Sequence, residues 1–301
     1  MRTFQIFIDS CGELNAEMRK KYNIDYFPMM LNIAGKEVVA SLDYDQGISF
    51  HEFYDLMRNG TRCFTSQVPS TTFEKRFEDF ADKGEDILYI SCSSALSASF
   101  ECGRKVASEF MKKHPEMKIV CVDALNSCYG EAMMAIEASK MRDEGKTLEE
   151  IESWLLENRL RFNQYATVDD LKYLKQAGRV KASAAFFGNI FSVHPILISD
   201  SKGNNLAVAK INGKKKALMY LAKAVVNCAE DIENQIIYVC HADDLKAAEF
   251  VRSEILRISK PKEVYIGYMG PIIGASTGPG TIGVYSFGKP IAKMLEEGSD
   301  K

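Results

Sequence analysis

Short apolar runs alternate along the chain with longer stretches whose apolar residues recur at helical spacing. Phe4–Ile8, Met29–Ile33, Ile87–Ile90, Ile119–Val122, Tyr165–Val168, Ile196–Ile198, Ile236–Cys240, Glu263–Ile266 and Ile282–Ser286 read as strands. Most of these runs are apolar throughout rather than alternating, which suits strands covered on both faces, as in a parallel sheet. Between them, Leu218, Leu221, Ala222, Val225 and Val226 follow the i, i+3, i+4, i+7, i+8 rule of a buried helix face. Leu96, Phe100, Phe110 and Met111 fit a second face, Ile151, Trp154 and Leu155 a third, and Leu245, Ala248, Val251, Ile255 and Ile258 a fourth. Strands alternating with helices predict an α/β architecture. A seam is expected between Lys146 and Gln164, where the charged helix Leu148–Leu160 follows a series of βα-like units and precedes a new strand. It divides the chain into 1–155 and 156–290, with a polar tail over 291–301.

Composition narrows the picture. The 301 residues are 46% hydrophobic and 26% charged, ordinary globular values that exclude wholesale disorder. The formal net charge of -3 offers no basic excess for nucleic acid. The dense basic cluster Lys214–Lys216 opens a predicted helix and reads as a solvated end. The start MRTFQIFIDSCGEL lacks the pattern of an export signal, and no run approaches the ~18 apolar residues of a membrane span. A cytoplasmic protein is expected, with at most transient contact with a membrane surface. The eight cysteines are scattered without a C-x-x-C pair and read as reduced, mostly buried thiols. The four histidines offer no ligand spacing, so neither a metal site nor a cofactor is expected.

Two literal motif matches fail on context. Gly278, Gly280 and Gly283 spell G-x-G-x-x-G, but Pro279 interrupts it and a strand-like run follows instead of a helix. Gly274, Ser276 and Gly278 spell G-x-S-x-G. An α/β-hydrolase places its catalytic histidine after that serine, whereas the last histidine here is His241.

A more informative pattern is a set of hydroxyl-rich loops at strand ends. Asp9-Ser10 follows the first run, Thr65-Ser66-Gln67 stands alone, Ser91 through Ser97 follows Ile87–Ile90, and Asp123 with Asn126-Ser127 follows Ile119–Val122. In open parallel sheets, ligands bind outside the carboxyl ends of strands. Such loops also cap helices, and Asp9, Asp123 and Asn126 read mainly as loop supports. Together the loops would surround a small polar group with neutral donors and helix N-termini, an environment that favours a carboxylate. Ala184–Ile198, nearly free of charge, is either core or the wall of an apolar cavity.

These residues resemble the DegV family of fatty-acid-binding proteins from the first strand to about Phe287. The resemblance rests on Asp9-Ser10, Thr65-Ser66-Gln67, Ser93-Ser94-Ala95-Leu96-Ser97, Asp123 with Ser127 and Gly130, Tyr173-Leu174 leading to Gly178-Arg179-Val180, and Gly274 through Gly283. It implies two α/β domains, the first a three-layer α/β/α unit on a parallel sheet and the second built on a mixed sheet. One long-chain fatty acid would lie between them. It further implies a carrier rather than an enzyme, presenting the acid to a fatty acid kinase for acyl phosphate formation and phospholipid synthesis. Carried over residue by residue, Thr65, Ser97 and Ser276 would hold the carboxylate, Ser66, Ser93 and Ser94 would support it, and Arg179 would clamp its loop or dock a partner. Three departures stand out. Ser276 replaces the family's usual histidine, Ala98-Ser99 replaces Gly-Thr, and Asn212 stands before Gly213-Lys214 where an arginine is common. The competing readings are a serine hydrolase or thioesterase using Ser97 or Ser276, and a nucleotide-binding kinase-like protein, which would lack a P-loop.

Overall fold

The computed structural model describes residues 3–43, 48–181 and 193–290. The fold is α/β, with a parallel sheet in the N-terminal part and a mixed sheet in the C-terminal part. The parallel sheet has the order β2-β1-β6-β7, from β1 (Phe4–Asp9), β2 (Ile24–Phe27), β6 (Asp86–Ser91) and β7 (Ile119–Asp123). Its central strands are buried on both faces, as their unbroken apolar runs predict. Helices α3 (Ser70–Ala81) and α4 (Ser99–Lys113) pack together against β6 and β7, while α5 (Tyr129–Asp143) packs on β1 and β6. A small antiparallel sheet, β4-β3-β5, comes from β3 (Met30–Ile33), β4 (Lys36–Val39) and β5 (Cys63–Ser66). Thr65 and Ser66 therefore lie on a strand, paired with Leu31 and Met30, rather than in a loop.

The mixed sheet has the order β13-β12-β14-β8-β10-β11-β9. Its strands are β8 (Phe162–Thr167), β9 (Val180–Lys181), β10 (Val193–Ser199), β11 (Asn205–Asn212), β12 (Ile236–His241), β13 (Glu263–Tyr268) and β14 (Ile282–Phe287). Helices α8 (Lys214–Cys228) and α9 (Leu245–Ile258) bury Leu218, Leu221, Ala222 and Val225 with Ala248, Val251 and Ile255 against it. The predicted α9 stripe is too long, because Leu245 and Ile258 at its ends are exposed. The predicted α4 face also shifts. Its buried residues are Ser99, Gly103, Ala107 and Phe110, and Leu96 lies in the loop before the helix.

The largest apolar cluster starts in the parallel sheet and takes in Tyr173, Tyr238, Met269, Ile272 and Tyr285 from the C-terminal half. Helix α2 (Phe50–Arg58), capped by reciprocal bonds between Ser49 and Glu52, makes the main polar joints. Tyr54 Oη donates to the Met269 carbonyl at 2.5 Å, and Tyr173 Oη from α7 (Leu171–Ala177) donates to the Met57 carbonyl at 3.1 Å. Arg58 and His51 both meet the Asp243 carboxylate. Among the described residues no helix is long and apolar enough to cross a membrane.

Of Ala184–Ile198, residues 184–192 and the tail 291–301 lie outside the described residues. Ile196, Leu197 and Ile198 are core, packed under α8 and against Val168, Leu171 and Leu174. Lys214 is a bridge rather than a solvated end, its Nζ donating to Asp169 at 2.5 Å and Asp244 at 2.6 Å.

Candidate functional site

Because β1, β6 and β7 are parallel, the loops after them leave the same edge of the sheet. Those loops border a cavity of about 490 Å³, within the usual range for a small-molecule site. Cys11 comes from the first loop, Cys92 and Ser94–Ala98 from the second, and Ser127 from the third. Met29, Thr65, Ser66 and Gln67 close one side. Ile272, Ile273, Ser276 and Thr277 of α10 (Pro271–Thr277) close the other, with Arg179 and Asn205 at a further edge.

The loops are held by the acids and amides read from sequence as supports. Asp9 Oδ1 accepts from the Cys11 N–H, and Asp123 Oδ1 accepts from the N–H groups of Ser94 and Leu125. Asn126 donates from its side chain to the Phe162 carbonyl at 2.6 Å. Leu125 and Cys128, flanking Asn126-Ser127, both sit at positive φ, a cost that the surrounding hydrogen bonds offset.

The hydroxyls differ in what they have left to give. Thr65, Ser66, Ser94 and Ser276 line the cavity, and their hydroxyls bond no other described residue. Ser97 Oγ accepts from the Ser99 N–H at 3.2 Å and lies 3.0 Å from Ser99 Oγ. Ser99 is fully buried and already accepts from the Val68 N–H, so its proton has only Ser97 to go to. That leaves the Ser97 proton to turn either to the Cys92 thiol beside it or to the cavity. Ser99 thus keeps the hydroxyl of the family's threonine. Ala98 has an ordinary φ of -81°, so no glycine is needed there.

Ser93 departs from expectation. It is fully buried, donates to the Gly203 carbonyl at 2.8 Å, and does not line the cavity. Arg179 departs in the other direction. It is exposed but borders the cavity, and it makes no ion pair with a described residue. The resemblance suggested a loop clamp or a docking residue, and its place adds a cation beside the neutral hydroxyls. Ile272 and Ile273 were not singled out in the sequence, although Pro271 at the first helical position is a helix-start signal.

The glycine motif has a packing explanation. A Cβ on Gly274 would lie 2.2 Å from Tyr54 Oη, and one on Gly278, at φ +84°, would lie 2.1 Å from the Tyr173 ring. Both glycines let a tyrosine of the joint approach the backbone. Ser276 lies in the last turn of α10, not on a strand-to-helix elbow. No described residue lining the cavity is a histidine. His241 lies elsewhere, its Nδ1 accepting from the Asp244 N–H, and burial holds its pKa below the ordinary value.

A family model described as "Uncharacterised protein, DegV family" matches residues 3–289. A DegV domain-containing protein of Clostridium perfringens is 34% identical over 289 residues, which span 96% of this chain and 98% of the relative. The chain belongs to the DegV family. A DegV family protein from Thermus thermophilus, reported for its fatty acid binding, is 26% identical with a TM-score of 0.85 over 96% of this chain and 100% of that one. DegV of Bacillus subtilis, described as a fatty acid binding protein, shares the fold at a TM-score of 0.83 and 24% identity, covering 96% of this chain and 100% of its own.

Proposed function

We propose that this protein binds one long-chain fatty acid in the cavity beyond β1, β6 and β7 and presents its carboxylate for phosphorylation by a fatty acid kinase. The observation that carries the reading is the meeting, in one cavity, of hydroxyls without internal partners and the apolar side chains of Met29, Leu96, Ile272 and Ile273. Thr65, Ser97 and Ser276 hold the carboxylate, with Ser66 and Ser94 in support. Ser93 acts only through the loop it ties to Gly203. The fatty acid binding reported for the Thermus thermophilus relative supports the same ligand class.

The energetics suit a carrier. A buried methylene contributes about 0.8 kcal/mol, so a dozen supply on the order of 10 kcal/mol before ordering costs. The tail provides affinity while neutral hydroxyls orient the head. Arg179 at the cavity edge attracts the anion without burying it in an ion pair. A carboxylate held mainly by hydroxyls keeps an oxygen able to attack a phosphoryl donor.

For the kinase step, Asn212 ends β11 without a charge and Lys214 is neutralised by Asp169 and Asp244. Among the described residues that line the cavity, the cation without an ion pair to another described residue is Arg179, which makes it the docking candidate. The hydrolase reading has less support, since neither Ser97 nor Ser276 has a histidine beside it. Native mass spectrometry of the purified protein tests the proposal. One unmodified fatty acid per chain is expected. An empty protein that cleaves acyl esters, with activity lost in Ser97→Ala, would overturn it.

A further inference from the structure

The inner wall of the cavity holds a cluster that neither fatty acid binding nor core packing explains. The ends of β1 and β6, with the first turn of α5, bring together Asp9, Cys11, Cys92 and Glu131. One donor atom from each lies within 4.8 Å of the others, and all four residues are buried. Sequence spacing gave no hint of it, because the two cysteines stand in loops that follow separate strands, β1 and β6, which pair only in the fold.

Hydrogen bonds fix the two carboxylates of the cluster. Asp9 Oδ2 accepts from Tyr89 Oη at 3.2 Å, Ser91 Oγ at 3.2 Å and the Cys92 N–H at 3.1 Å. Glu131 Oε1 accepts from the Asp9 N–H at 3.0 Å, while its Oε2 is buried with no hydrogen-bond partner. An unpartnered carboxyl oxygen in a fully buried side chain is costly and calls for a ligand. Burial, and after it the charges of Asp9 and Cys92, hold the Glu131 carboxyl well above the usual carboxylate range. The Cys92 contact and then burial push the Cys11 thiol up. For Cys92 the contact with Cys11 acts downward, but burial and Asp9 outweigh it.

We propose that Asp9, Cys11, Cys92 and Glu131 form a binding site for a thiophilic divalent cation of the zinc type. Two sulfur and two carboxylate donors suit zinc, which accepts both in tetrahedral geometry. Magnesium and calcium call for all-oxygen shells. The hydrogen bonds from Tyr89 and Ser91 to Asp9 fix ligand orientation as outer contacts do in zinc sites. Cys11 and Cys92 line the cavity, which gives the ion its path. Loading forms two metal–sulfur bonds and two metal–oxygen bonds, and it releases to solvent the two thiol protons together with any proton carried by the carboxyl groups. No electron is transferred.

The test titrates Co2+ into the full-length protein under a phosphine reductant, then displaces it with Zn2+. One Co2+ per chain with a thiolate-to-cobalt charge-transfer band is expected, and Zn2+ should remove the band. The Cys11→Ser/Cys92→Ser double variant should lose the band, and Glu131→Gln should weaken binding at least about tenfold. Tyr89→Phe, which keeps the buried ring, should weaken it about tenfold even if the cysteine variants fail to fold. Cys63→Ser, at a thiol outside the cluster, should change nothing. Absence of the band in the parent, its persistence in a folded double variant, or binding of Cu(I) with Co2+ and Zn2+ ignored would each overturn the assignment.

Discussion

The parallel sheet and the mixed sheet contribute to the cavity in opposite ways. In the first, β1, β6 and β7 run in one direction, so three successive loops reach one edge without any special device. In the second, β12, β14, β8, β10 and β11 alternate in direction, which divides the loops between two edges. That half reaches the cavity through a short helix, α10, and through Arg179 and Asn205 near the β9–β11 edge. Strand direction alone therefore decides which half supplies a set of hydroxyls and which supplies a lid of a few side chains. It also makes the contacts that hold α10 in place as important as the hydroxyls.

The largest effect is expected at that joint. Gly278→Ala forces a methyl group into the Tyr173 ring at a positive φ and should destabilise the protein by about 2–3 kcal/mol in chemical denaturation. An unchanged midpoint would show that α10 is not rigidly tied. Next come the hydroxyls of the parallel half. Thr65→Ala and Ser97→Ala should each weaken fatty acid binding about tenfold, with little change in melting temperature. If only Ser276→Ala had an effect, the division of labour between the halves would be reversed.

Ser276→His probes the mixed half by supplying a titratable donor. A histidine beside a carboxylate has its pKa raised, so the gain is present below the ordinary value of about 6.5 and fades as pH rises through the raised one. Affinity should improve about tenfold at acid pH and match the parent at alkaline pH. A flat pH profile would place Ser276 away from the head group. Arg179→Gln should slow fatty acid association only two- to fivefold or so, an effect that disappears at high salt.

The smallest effect concerns the ion cluster joining the halves at α2. The hydrogen bond and charge of Asp243 raise the pKa of exposed His51. Its stabilisation is therefore present below the ordinary histidine value and lost as pH rises through the raised one. The melting temperature of His51→Gln should trail the parent at acid pH and converge with it at alkaline pH. A gap that persists on the alkaline side would mean that His51 acts by packing.

Three of the strands that sequence missed share a physical cause. β5 is short and polar, β4 is exposed along its length, and β11 mixes small, polar and charged residues over a half-buried face. None carries the unbroken apolar run that marks β1 or β6. The loop supports Asp9, Asp123 and Asn126 were legible because short polar side chains bond nearby backbone. Ser93 was misleading because serines at neighbouring loop positions face different ways, and its partner, the Gly203 carbonyl, is remote in sequence.

Apolar periodicity by itself determined the α/β class, the parallel core and the edge where ligand loops would gather, since burial on both faces leaves a local imprint on every strand. Motif order determined the family. Tertiary structure alone decided which hydroxyls keep a free proton, that Arg179 stands beside them, why Gly274 and Gly278 are glycine, and that Cys11 and Cys92 meet Asp9 and Glu131. Each of those depends on contacts between residues far apart in the chain, and such contacts leave no periodicity to read.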